Sequence, residues 1–199
     1  MLIVVRHGQT DANAQGLLLG RKDPPLDATG RNQASAVAAA LKPLGRDARV
    51  LSSPLRRAHE TAQYIAGDRE IDIDERWIEL DYGTLEGTRV ADVPEDTWRA
   101  WRADPDFTPG GGESLAALGT RVAIACDELI VEAAEHDVIV VTHVSPVKAA
   151  TAWALGVGDK VTWSMYVAPG SITRIAPRRF GRVLASFNET PWSHGNGDR

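Results

Sequence analysis

Hydrophobic and polar residues follow two rhythms along this chain, and the contrast between them predicts its layering. Residues 2–5 (LIVV) and 138–141 (VIVV) are unbroken aliphatic runs, the pattern of strands covered on both faces. Shorter apolar stretches at 49–52, around Ile71 and Ile73, at 171–175 and at 183–187 read as further strands. Between them the period lengthens to that of a helix. From Thr29, which can act as a cap, Ala34, Val37, Ala38 and Leu41 recur on one face until Pro43 ends the segment. Pro54 opens a second helix that runs to Ala66 and stops at Gly67. Residues 113–134 form a long third helix with Leu115, Leu118, Val122, Ala125 and Leu129 on its buried stripe. Pro146 opens a fourth, ending near Gly156. Strands that alternate with helices in this way predict a three-layer α/β/α sandwich with a mostly parallel central sheet.

Composition leaves that picture intact. Of 199 residues, 43% are hydrophobic and 25% charged, values that suit a globular chain and argue against disorder or a fibrous repeat. With no internal repeat or low-complexity block, residues 1–188 read as one domain and 189–199, polar and holding Gly195 and Gly197, as a loose C-terminal tail. A net charge of −5, with Lys and Arg thinly spread, argues against nucleic acid as a partner. No apolar run approaches the roughly 20 residues a bilayer span needs, and the first residues lack the basic flank of a signal peptide. No membrane partner is expected, and the expected location is cytoplasmic. A single cysteine, Cys126, excludes an intramolecular disulfide and a cysteine-built metal site. Arginine far outnumbers lysine, so any anion site here is expected to be built on guanidinium groups.

The candidate chemistry sits where strands end. LIVVRH and VIVVTH share one design, four aliphatic residues, one polar residue and a histidine, so His7 and His143 should emerge side by side at the carboxyl edge of the sheet. That edge is where open α/β sheets bind ligands. Arg6 precedes His7, and the segment SSPLRRAHETA brings Arg56 and Arg57 to the same edge. Cations crowded in this way repel one another unless a doubly negative group lies among them, and phosphate oxygens match the guanidinium fork. Other polar features have blander readings. His59, His136 and His194 are expected to be solvated, and Asp72, Asp74 and Asp81 are scattered acids without metal-ligand spacing. Trp98 and Trp101, three residues apart, form either a helix packing stripe or a wall at the pocket mouth. Residues 110–112, all glycine, should make a mobile rim.

RHGQT with Asn13 downstream, GRKDPPLDATGRNQA, SSPLRRAHETA, ELDYGTLEG, PGGGES and VTH together resemble the histidine phosphatase superfamily, in its phosphoglycerate-mutase-like branch, from residue 1 to about 175. The resemblance implies that His7 accepts the phosphoryl group while Arg6, Asn13, Arg57 and His143 hold the phosphate. It further implies that Glu79 is the general acid and that Tyr82 and Gly20 touch substrate. In RRA the arginine before alanine matches the motif, which selects Arg57 and leaves Arg56 as a solvated helix residue. No metal or other cofactor is implied. The expected activity is a metal-independent phosphomonoester phosphatase acting on a small phosphorylated metabolite through a phosphohistidine. A phosphoglycerate mutase is the alternative. Arg89, Arg99 and Arg102 could hold its second anion, although only 33 residues separate Glu79 from Glu113 and leave little room for a cover. A silent module that binds phosphorylated ligands is a third possibility, from another class. Val144 stands where the family usually has glycine, which should reshape the leaving-group side, and Val144-Ser145-Pro146 is similar to a branch near the α-ribazole phosphatases. Edge strands near the C-terminus could pair two copies as a homodimer.

Overall fold

The first aliphatic run is buried along its whole length because it is covered on both faces. In strand β1 (Leu2–Arg6), Leu2 and Val4 point into one core and Ile3 and Val5 into the other. The computed structural model describes residues 1–45 and 47–195. After β1 comes a single helical turn, α1 (Asp11–Ala14), and then α2 (Ala28–Leu41), β2 (Arg49–Ser52), α3 (Arg56–Ala66) and the two-residue β3 (Asp72–Ile73). Helices α4 (Glu95–Ala103) and α5 (Leu115–Glu132) follow, then β4 (Val138–Thr142), α6 (Val144–Leu155) and a closing hairpin of β5 (Ile172–Arg178) and β6 (Gly181–Glu189). The sheet order is β3-β2-β4-β1-β5-β6, with β1 to β4 parallel and β5 antiparallel to both neighbours. Helices α2 and α3 cover one face, through Val37, Leu41, Ala58, Ala62 and Ile65; α5 and α6 cover the other, through Leu118, Val122, Val147 and Ala150. The expected three-layer α/β/α sandwich is therefore present.

Element ends differ from the sequence pattern where a distant contact sets the cap. Asp27, not Thr29, caps α2: its Oδ1 accepts from Gly30 N at 2.7 Å while its own N–H is bonded to the Gln9 carbonyl at the exit of β1. Helix α3 starts at Arg56, two residues after Pro54, and the Arg56 N–H is met by Asp23. Helix α6 starts at Val144, so Pro146 falls within its first turn, where no N–H is needed. Helix α5 begins at Leu115, with Ser114 capping the Ala117 N–H.

The expected loose tail is ordered at its start. Glu189 ends β6 and pairs with Arg174 at 3.1 Å, and a 3₁₀ turn, Pro191–Gly195, follows. There Trp192 donates its indole N–H to the Pro169 and Gly170 carbonyls, both at 3.1 Å. One aromatic side chain ties down a segment whose composition is otherwise polar. The His194 side chain and residues 196–199 lie outside the described residues. Among the described residues no helix is long and apolar enough to cross a membrane.

Candidate active site

Register brings the two histidines together. Arg6 of β1 is level with Thr142 of β4 in the parallel ladder, so the next residue on each strand, His7 and His143, leaves the sheet side by side. Their ring centroids are 5.0 Å apart and both rings are buried. On the other side of β4, Ser52 of β2 is level with Val141, which sets Ser53 beside His143; Ser53 Oγ lies 2.7 Å from His143 Nε2.

Each ring nitrogen of His7 has one partner. Nδ1 donates to the Gly8 carbonyl at 2.6 Å, so Nε2 keeps its lone pair and accepts from Arg57 Nε at 3.1 Å. Two more Arg57 donors go to backbone carbonyls, Nη1 to Lys22 at 2.7 Å and Nη2 to Gly20 at 2.8 Å. Arg6 donates Nη1 to the Val167 carbonyl at 2.6 Å, whereas its buried Nε has no partner. His143 Nδ1 is likewise buried and unpartnered. Burial first, and then the Arg57 and Arg6 charges, hold both histidines well below their usual range, so both are neutral at pH 7. Burial also pulls the Arg57 guanidinium down to about 10, leaving it charged at neutral pH.

Glu79 is 2% exposed and approaches from the loop that follows β3. Its Oε1 accepts from the Leu80 N–H at 2.7 Å and from the Ser145 N–H, in the first turn of α6, at 3.3 Å. Arg6, His7, Asn13, Glu79, Tyr82 and Val144 share the wall of one cavity of about 360 Å³. Asn13 closes the capping box of α1, with Oδ1 accepting from Thr10 N at 3.2 Å. The buried Tyr82 hydroxyl lies 3.4 Å from Ser145 Oγ.

Of the residues expected at the site, Arg57 and His143 touch the His7 ring without lining the cavity, and Gly20 occupies a different place. It sits behind the wall, where its carbonyl holds Arg57, and a Cβ there would stand 2.6 Å from the Leu80 carbonyl. Arg56 is exposed and pairs with Glu60, as a solvated helix residue should. Arg99 pairs with Glu95 and Asp96, Arg102 lies over the Trp163 ring, and Arg89 is exposed; none of the three lines the phosphate-sized cavity. The expected mobility of residues 110–112 gives way to close packing. A Cβ on Gly112 would lie 2.1 Å from the Asp81 carbonyl, and one on Gly83 2.1 Å from the Gly110 carbonyl, so two backbones touch where only glycine fits. Trp98 and Trp101 are both a packing stripe on α4 and the wall of a second cavity. Sequence reasoning missed Ser53, Lys148, Trp163 and Tyr166. Only Ser53 carried a signal, as the last polar residue before Pro54 at a strand exit.

Comparison with known proteins agrees with this geometry. Residues 2–190 match the family model of the histidine phosphatase superfamily (branch 1). A bifunctional protein of Mycobacterium tuberculosis is 36% identical over 177 residues, 86% of this chain and 49% of that protein, so the chain spans about half the length of the first curated relatives it matches. Phosphoserine phosphatase 1 of Hydrogenobacter thermophilus is 33% identical over 95% of this chain and 92% of its own. Among solved structures, a mutant phosphoserine phosphatase from Entamoeba histolytica in complex with phosphoserine has a TM-score of 0.88 at 29% identity, covering 96% of this chain and 98% of that one. A mycobacterial glucosyl-3-phosphoglycerate phosphatase in complex with VO₃ has a TM-score of 0.84 at 28% identity, covering 94% and 98%. Sequence, fold and strand-end residues converge, and the chain belongs to the histidine phosphatase superfamily, branch 1.

Proposed function

We propose that the protein is a phosphomonoester phosphatase that works without a metal, through a phosphohistidine on His7. One observation carries the reading: a neutral imidazole nitrogen, His7 Nε2, lies 3.1 Å from Arg57 Nε, and His7 lines a cavity together with Arg6, whose Nε is buried without a partner among the described residues. Most buried polar groups in folded proteins are hydrogen-bonded, so an unpartnered guanidinium nitrogen beside a lone pair suits the oxygens of a bound phosphoryl group.

In the forward step His7 Nε2 attacks phosphorus and the bond to the leaving oxygen breaks, while a proton passes to that oxygen through Glu79. As the N–P bond forms, the Arg57 N–H that points at Nε2 turns to a phosphoryl oxygen. The bond from Nδ1 to the Gly8 carbonyl fixes the ring and supports the positive charge it gains. Water then attacks phosphorus with Glu79 taking its proton; the P–N bond breaks and neutral His7 returns. Phosphoryl transfer needs positioning and neutralisation of the equatorial oxygens, which Arg6, Arg57 and His143 can supply. Arg89, Arg99 and Arg102, the residues that could hold the second anion of a mutase substrate, stand outside the phosphate cavity.

The test is a panel of phosphate esters assayed with and without excess chelator, with acid-labile ³²P trapped on the protein. Hydrolysis unaffected by chelator, and label that disappears in His7→Ala together with turnover, are expected. An active His7→Ala variant overturns the proposal.

A further inference from the structure

A second cavity, of about 150 Å³, has walls that include Trp98, Trp101, Trp163, Tyr82, Val144 and Lys148. Tyr82 and Val144 line this cavity and the phosphate cavity alike. Ser145, whose N–H bonds the Glu79 carboxylate, lines it too. Glu79 lines the phosphate cavity, and these shared walls set the second cavity next to the place a leaving oxygen would take.

The walls are flat and apolar. Trp98 and Trp101 stack at 5.3 Å with 6° between planes, Trp163 stands at 85° to Trp101, and Tyr82 meets Trp101 edge-on at 5.9 Å. A cavity of this size accommodates about one benzene ring. The polar side is unbalanced. Among the described residues the indole N–H groups of Trp101 and Trp163 are buried and unpartnered, and half-buried Lys148 forms no ion pair. These donors face a lining that contains no carboxylate. Burial pushes the Lys148 ammonium down from its usual range, against the pull of Glu79, as fits a cation set at the edge of the site without a counter-ion.

We propose that this cavity is the leaving-group subsite and that it takes an alcohol bearing a flat ring with an anionic substituent, the ring against the tryptophans and the anion on Lys148. The proposal rests on the phosphatase reading and narrows its substrate class. A small ammonium-bearing alcohol such as serine leaves the tryptophan walls uncovered and finds no carboxylate acceptor for its ammonium among the lining residues.

Four esters test it: 4-carboxybenzyl phosphate, benzyl phosphate, glycerol phosphate and phosphoserine. The carboxylated ring ester should exceed benzyl phosphate in kcat/KM by about tenfold or more, the least that a charge-assisted hydrogen bond contributes. Lys148→Met should bring that ratio close to one, and Trp98→Leu should lower the ratio of benzyl to glycerol ester. Independently of turnover, 4-(hydroxymethyl)benzoate should quench tryptophan fluorescence saturably in the native protein and not in Lys148→Met. Equal turnover of ring and small esters, or no saturable quenching, overturns the subsite. Failure of all four esters to react overturns the phosphatase reading instead.

Discussion

At His7 the chemistry reduces to which nitrogen holds a proton. The Gly8 carbonyl takes the Nδ1 proton, and burial with Arg57 and Arg6 keeps Nε2 bare at neutral pH. Protonation of that nitrogen abolishes nucleophilicity, and its affinity for a proton lies below the usual histidine range, so kcat/KM should persist below pH 6.5. The acid limb of a kcat/KM profile reads this directly. Arg57→Met removes a positive charge from beside the ring, so that limb should move to higher pH. It also removes a phosphoryl donor, for which a loss of about 10²–10³-fold in kcat is expected. Retained activity with an unmoved limb would show that Arg57 touches neither. That His7, Arg57, Glu79 and His143 belong together was legible in motif order alone. The supporting place of Gly20 was not, because it depends on a backbone carbonyl that turns toward Arg57 from a loop without regular structure.

Among the elements, the two glycine-bearing loops at residues 81–85 and 109–113 behave as one piece. Glu113 N donates to the Asp81 carbonyl at 2.9 Å, and Glu113 holds Arg121, which in turn reaches the Arg76 carbonyl at 2.6 Å. The Glu79 loop is thus clasped between the start of α5 and the residues just before it. Gly112→Ala forces a methyl into the Asp81 carbonyl, and overpacking of this kind costs about 1–3 kcal/mol. A lower denaturation midpoint and reduced kcat are expected together, because the strained loop carries the acid. An alanine variant that keeps both values would mean that the loops separate freely. The glycine run reads as a mobile rim in sequence because flexibility and close backbone approach call for the same residue.

For the whole molecule, burying two histidines in neutral form links stability to pH. Both are held well below the ordinary value near ~6.5, so between that value and the folded one the unfolded chain binds more protons. Stability should then fall as pH drops below about 6.5, by up to about 2.7 kcal/mol per pH unit if both rings contribute fully. Asp74, lowered by its hydrogen bonds to Arg76 against the penalty of burial, loses its contribution only near and below the ordinary carboxylate range. The two windows are therefore separate. Urea midpoints from pH 7.5 to 5 measure the slope, and His143→Asn should reduce it by about half. A flat profile across that range would mean that the rings are hydrated or protonated in the fold.

The sequence by itself determined the layering and the pairing of His7 with His143, because aliphatic period is a local quantity written residue by residue, and its resemblance to the family selected Arg57 over Arg56. Tertiary structure decided which loops pack rather than move, which residue caps α2, and how Trp98 and Trp101 from α4 meet Trp163 and Lys148 beside Glu79. Those contacts join distant segments, as when Trp98 meets Trp163, 65 residues further on, and no local pattern encodes which side chain will stand across a cavity.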